Sequence, residues 1–185
     1  MCATVAVDDF DTTHFSHCDL DGFAMRNLTF NSVHFICRRK PDSRGYIGVE
    51  PVEHPMGSAF SSEKWDLKPS EAQSLLGGLI FLHLTKASPA HTAGLIYHWE
   101  EVEALESART ERIKIYFLAL ADAKYAKWQG VDHSMAYTSG FHQKGETWER
   151  DVPINQRHVG AKSRKLADIP TETITDLQAK AQITP

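Results

Sequence analysis

Gly77-Gly78-Leu79-Ile80-Phe81-Leu82-His83-Leu84-Thr85 is the stretch on which the fold of this chain turns. Residues Leu79 to Leu84 are apolar at both parities, and turn-forming residues bound them: two glycines before, Lys86-Ala87-Ser88-Pro89 after. A strand that is apolar on both faces belongs in the interior of a sheet with cover on each side. Gly94-Leu95-Ile96-Tyr97-His98-Trp99 reads as its antiparallel partner, because the loop between them is short enough for a hairpin return. A helix precedes the strand. Pro69 suits its first turn, Glu71 complements its positive end, and Leu67 can staple onto Ala72. Ala72, Leu75 and Leu76 form the apolar stripe, and Gly77-Gly78 ends the helix through a left-handed glycine. Lys68 is a poor capping residue, which leaves the first turn weakly specified.

Working outward, Leu28 to Cys37 is rich in β-branched and aromatic residues and reads as a strand, with a bulge near Asn31-Ser32. A basic, turn-rich loop follows, and Tyr46-Ile47-Gly48-Val49 returns as a short strand. Residues 50–64 read as loop. Glu100 to Glu111 is acidic and reads as helix or loop. Arg112 to Leu120 places Ile113, Ile115 and Phe117 on one face, the pattern of a half-buried strand. A further strand is expected near Ser134 to Thr138, long loops from Gly140 to Lys165, and a terminal helix from Thr171 to Gln182 that starts at Pro170-Thr171.

These elements predict an α+β fold: a strongly bent, mostly antiparallel sheet or small β-barrel, with one helix before the central strand and one at the C-terminus. Small barrels of the PUA-like group, which read nucleic-acid bases, share this order of elements; the likeness is one of architecture only. The expected organisation is an irregular acidic arm over 1–22, one domain over 23–168, and a helix with tail over 169–185.

The bulk numbers agree with one globular unit. At 185 residues, 42% hydrophobic and 24% charged, the chain can bury a core without metal or disulfide staples. Its three cysteines, Cys2, Cys18 and Cys37, are odd in number and form no C-x-x-C pair, which favours a reducing, cytoplasmic setting. The N-terminus lacks the basic and apolar blocks of a signal peptide. Leu79 to Leu84 is far shorter than the roughly 20 residues of a membrane-spanning helix. No membrane contact is therefore expected.

Charge is unevenly spread. Residues 1–35 hold five aspartates against Arg26, whereas residues 109–165 hold eleven Lys and Arg against six Asp and Glu. A basic half interleaved with aromatics is the footprint of a nucleic-acid or nucleotide ligand. In this reading Trp128 or Tyr137 stacks on a planar base while Lys114 and Lys127 attract phosphate; His133 and Ser88 add hydrogen bonds. Asp132-His133-Ser134 is no triad, since neighbours on a strand point to opposite faces.

Strand parity puts His83 and Thr85 on the face of Leu79 and Phe81, with Lys86, Ser88 and His91 in the loop just beyond. Ionisable groups gathered where a central strand ends are placed to meet a ligand, so His83, Lys86 and His91 are the candidate catalytic groups. His83-Leu84-Thr85 and His14-Phe15-Ser16 resemble the paired H-x-[S/T] motifs of two-histidine phosphodiesterases. That resemblance implies one histidine as base, one as acid, and hydroxyls holding phosphate. The first copy departs from the pattern by lying in an acidic stretch without strand character.

His14, His17, Cys18, Asp19 and Asp21 are good metal ligands, but no second cluster has ligand spacing, and neither a metal nor a cofactor is expected. The motifs G-x-G-x-x-G, the P-loop, G-x-S-x-G and H-E-x-x-H are missing from the sequence. Three functions follow: a nucleic-acid or nucleotide-binding module, a small histidine-dependent phosphodiesterase or nuclease, or a protein-interaction or inhibitor domain without a catalytic site.

Overall fold

The computed structural model describes residues 28–41, 45–103, 111–121, 123, 126–129, 135–143 (backbone) and 164–183. In chain order the elements are β1 (Thr29–Ile36), β2 (Val49–Val52), β3 (Ala59–Trp65), α1 (Pro69–Ser74), β4 (Leu79–His83), β5 (Ala90–Glu103), β6 (Glu111–Ala119), β7 (Met135–Gln143), a single 3-10 turn (Leu166–Asp168) and α2 (Thr171–Ala181). The strands form one sheet in the order β2-β3-β6-β5-β4-β1-β7. Every pairing is antiparallel except β1 with β4, which run parallel. Parallel neighbours need a long crossover, and here it carries β2, β3 and α1. Among the described residues β2 and β7 are edges that do not meet, so the sheet is open and the expected small barrel of the PUA-like analogy does not form.

β4 lies inside the sheet between β5 and β1, and all five of its residues are buried. Two hydrophobic clusters explain why. One joins Leu79 and Phe81 to Leu95, Leu118, Leu166, Ile174 and Leu177, which brings α2 and the 3-10 turn onto that parity. The other joins Val33, Phe35, Leu82, Ile96, Ile115 and Phe117 to Leu67, Ala72 and Leu75. The both-faces-apolar pattern of β4 is thus satisfied by helical cover on each side.

The helix signals around α1 operate as read. Leu67 and Ala72 share a cluster, and Glu71 accepts a hydrogen bond from the Lys68 backbone N–H at 2.7 Å. Lys68 supplies no side-chain cap. Gly77 has φ +69, and a Cβ there would lie 2.7 Å from Gln178 Cγ, so the same glycine turns the chain and admits α2. The bulge expected in β1 also forms. Its pairing with β7 shifts between Phe30 and Ser32.

Two stretches differ from expectation. Residues 50–64 contain most of β2 and most of β3 rather than loop. The polar run Ser61-Ser62-Glu63 hid β3, yet Ser61 and Ser62 are buried, and the Ser62 hydroxyl accepts from Trp65 Nε1 at 2.9 Å. Glu100 to Glu103 continues β5 instead of forming a helix or loop. Cross-strand pairing decides this, with Glu100 opposite Lys114 and Val102 opposite Arg112. β7 also runs to Gln143, past the expected end near Thr138. The arm over 1–22, with its histidines, Cys18 and carboxylates, lies outside the described residues, as does His133. Among the described residues, no helix is long and apolar enough to cross a membrane.

Candidate histidine site

The parallel pairing of β1 and β4 sets His34 beside Phe81 and Ile36 beside His83. Both histidines share the parity of Phe81, so their rings meet above the same face. His34 Nδ1 lies 2.9 Å from His83 Nε2, and both side chains are fully buried. His83 Nδ1 lies 3.0 Å from the Ser88 carbonyl oxygen. A carbonyl only accepts, so His83 Nδ1 carries a proton; in the neutral ring Nε2 is then the acceptor. His34 Nδ1–H donates to it, which leaves Nε2 as the basic nitrogen of a neutral His34. The pair is a directed hydrogen-bond chain from His34 through His83 to the Ser88 carbonyl.

Burial weighs against a charged His83. The pKa of His83 is held below its ordinary value, because burial penalises the imidazolium more than the Ser88 carbonyl favours it. The rings are also packed. His34 stacks on Phe81 with centroids 4.6 Å apart. Trp128 meets both imidazoles at steep angles, 5.7 Å from His34 and 5.2 Å from His83. Its indole N–H is covered and meets no acceptor among the described residues. An unmet buried donor costs roughly 1–3 kcal/mol.

The loop after β4 is a tight turn held by its own hydrogen bonds. The Thr85 N–H donates to Ser88 Oγ at 2.9 Å, Ser88 Oγ donates to the Thr85 carbonyl at 2.8 Å, and the Ser88 N–H reaches Thr85 Oγ1 at 3.1 Å. Ser88 therefore acts through its carbonyl on His83, while its hydroxyl is engaged in the turn. Lys86 is a half-buried member of the same turn, and Lys127 is exposed beside Trp128.

The structure thus brings together His83, Ser88 and Trp128 of the residues singled out from sequence. His91 sits at the bulge in the β4–β5 pairing, where it stacks on Tyr46 at 3.6 Å and contacts Thr92 Oγ1 at 3.0 Å. Tyr137 stands opposite Val33 in β7. Lys114 is elsewhere. It pairs with Glu100, ten residues along β5 from Ala90, the partner of His83, a run of about 30 Å at strand rise. There it lies 3.5 Å from the Glu100 carboxylate. His34 carried no role in the sequence reading. Its only signal was a histidine at the buried parity of β1, and that becomes informative once β1 is known to run parallel to β4.

Among the described residues, no group of three or more His, Cys, Asp or Glu could hold a metal ion. What the arrangement offers chemically is a directional hydrogen-bond chain through two buried imidazoles, next to an indole N–H that meets no acceptor among the described residues. No protein-family model, curated protein or solved structure matches this chain, so its chemistry rests on this geometry.

Proposed function

We propose that this domain carries a histidine acid–base site for a nucleotide-like phosphodiester ligand. His34 and His83 move the proton, Trp128 provides a stacking ring and a hydrogen-bond donor, and Lys86 and Lys127 attract phosphate. The observation that carries the reading is the 2.9 Å hydrogen bond between two fully buried imidazoles. For stability alone the pair has little to recommend it. A net hydrogen bond contributes about 1 kcal/mol, and apolar side chains of the same shape would do as well. As a relay it has a direction, with His34 Nε2 as the base and His83 anchored behind it. A neutral imidazole is the form that accepts a proton, and burial keeps His83 in that form. The covered indole N–H supplies a donor for a ligand oxygen. Because the imidazoles are closed over, this reading requires the indole to shift before a phosphate can reach them.

A second reading is a binding module for nucleic acid that works through the cations of 109–165. The described cations give it less support. Arg112 pairs with Asp66 at 2.9 Å, and Lys114 lies beside Glu100. The inhibitor or interaction-domain reading has no observation in its favour here.

The test is turnover of a chromogenic phosphodiester and of a cyclic nucleotide by the full chain and by His83→Ala and His34→Ala. Acid–base catalysis predicts a loss of about 10²-fold or more in both variants, with circular dichroism unchanged. Unaltered turnover in the variants, or none in the parent chain, removes the catalytic role. A gel shift and a nucleotide titration at low salt examine the ligand class; no retention of either ligand removes it.

A further inference from the structure

A second recess lies away from the histidine pair, along the β2–β3 edge. It is a groove of about 990 Å³. Pro51, Pro55 and Phe60 give it a carbon-rich wall, and Arg164, His54 and Ser58 line it with polar groups. Arg164 is anchored by its backbone. It bridges Leu120 at the end of β6, and its carbonyl accepts from the Ala121 N–H at 2.8 Å. Its guanidinium crosses the turn at Gly57, which has φ +114, and a Cβ there would lie 3.4 Å from it. Glycine lets the chain take this left-handed conformation.

Each of these three polar groups can donate a hydrogen bond. His54 Nδ1 accepts from the Met56 N–H at 3.1 Å, so the neutral ring carries its proton on Nε2. The ring itself is steadied against Tyr97 with centroids 4.6 Å apart. The Ser58 carbonyl accepts from the Ala119 N–H at 3.0 Å. Among the described residues the guanidinium, the His54 Nε2–H and the Ser58 hydroxyl have no partner. Three unmatched donors beside an apolar wall call for an oxyanion attached to a hydrocarbon body. The lining also includes Glu53, an exposed carboxylate. The carbon-rich wall beside the donors fits an anion that carries a hydrocarbon body, as an organic carboxylate does and inorganic phosphate does not.

We infer that this groove binds a small monocarboxylate with a short apolar body. The carboxylate takes the planar fork of Arg164 and a hydrogen bond from His54 or Ser58, and the body lies on Pro51, Pro55 and Phe60. The site is independent of the histidine relay.

An NMR titration of the full chain with phenylacetate, phenylacetamide and inorganic phosphate tests it. Phenylacetate should shift groove resonances saturably with Kd of about 1 mM. Arg164→Gln should weaken binding about tenfold, and Arg164→Lys less, because an ammonium keeps the charge and loses the fork. Glu53→Gln should tighten it about twofold. Phenylacetamide binding as tightly as phenylacetate, phosphate binding more tightly, unchanged affinity in Arg164→Gln, or no shift at the groove would each overturn the inference.

Discussion

The His34–His83 pair and the Tyr116–Glu100–Lys114 group belong to one sheet, yet they solve the problem of polar side chains in opposite ways. The first sits between interior strands β1 and β4, and its members are fully buried. The second sits out along the β5–β6 hairpin, where Tyr116 donates to Glu100 Oε1 at 2.6 Å and Lys114 stands nearby. In the outer group water keeps the charges affordable. The Glu100 carboxyl is held below its ordinary pKa, first by the Tyr116 hydroxyl and then by Lys114. The Lys114 ammonium is held above its own by the same two neighbours, Tyr116 before Glu100. In the inner pair burial leads instead, lowering the His83 pKa and so disfavouring its imidazolium. The contrast shows that desolvation leads where the imidazole is buried, and that neighbouring side chains lead where water reaches. Losing a partner is costly inside and cheap outside.

The largest effect expected breaks the inner region outright. Phe81 is fully buried and stacked on His34, so Phe81→Ala should destabilise by about 3–5 kcal/mol in denaturant unfolding. A loss under about 1 kcal/mol would mean that the inner region is not packed as described.

Next comes the pair itself. His83→Ala removes the acceptor of His34 Nδ1 and should cost about 1–3 kcal/mol. A double-mutant cycle with His34→Ala should show coupling between the two, and additive losses would dissolve the pair as a unit. The pH dependence carries a definite sign. With a folded pKa below the ordinary 6.5, the unfolded chain takes up the proton first. Stability is therefore full above that value and falls as pH drops from it toward the folded pKa. This slope should flatten in a His83→Asn variant measured by the same unfolding curves.

The smallest effect is in the outer group. Tyr116→Phe should change stability by only a few tenths of a kcal/mol, as exposed polar contacts do. Its clear readout is the Glu100 carboxyl, whose titration by NMR should move up toward the ordinary range. A Glu100 that titrates unchanged would show that Lys114 alone holds it.

Much of the frame was legible in local residue patterns. Leu79 to His83 announced an interior strand because both parities are apolar. Ile113, Ile115 and Phe117 announced a half-buried one, and Pro69 with Gly77 marked a helix at both ends. β3 was hidden because Ser61 and Ser62 look like loop residues; their extended backbone is held by pairing with β2 and β6 on either side, and both side chains are buried. Glu100 to Glu103 was hidden for a related reason. Its extended form is held by the facing strand rather than by its own propensity. At the candidate site, His83 stood out as a polar residue near the end of an apolar run, and Trp128 as an aromatic among small polar residues. His34 did not, because 49 residues separate the two histidines and only strand order joins them.

Period and punctuation are local, and they carry through the chain one residue at a time. They were sufficient for the α+β class, the central strand, the flanking helices and the polar tip of β4. Which strands become neighbours depends on how two apolar clusters are jointly covered, a condition no segment meets alone. That joint burial set β1 parallel to β4, left the sheet open, and brought two distant imidazoles within hydrogen-bonding distance.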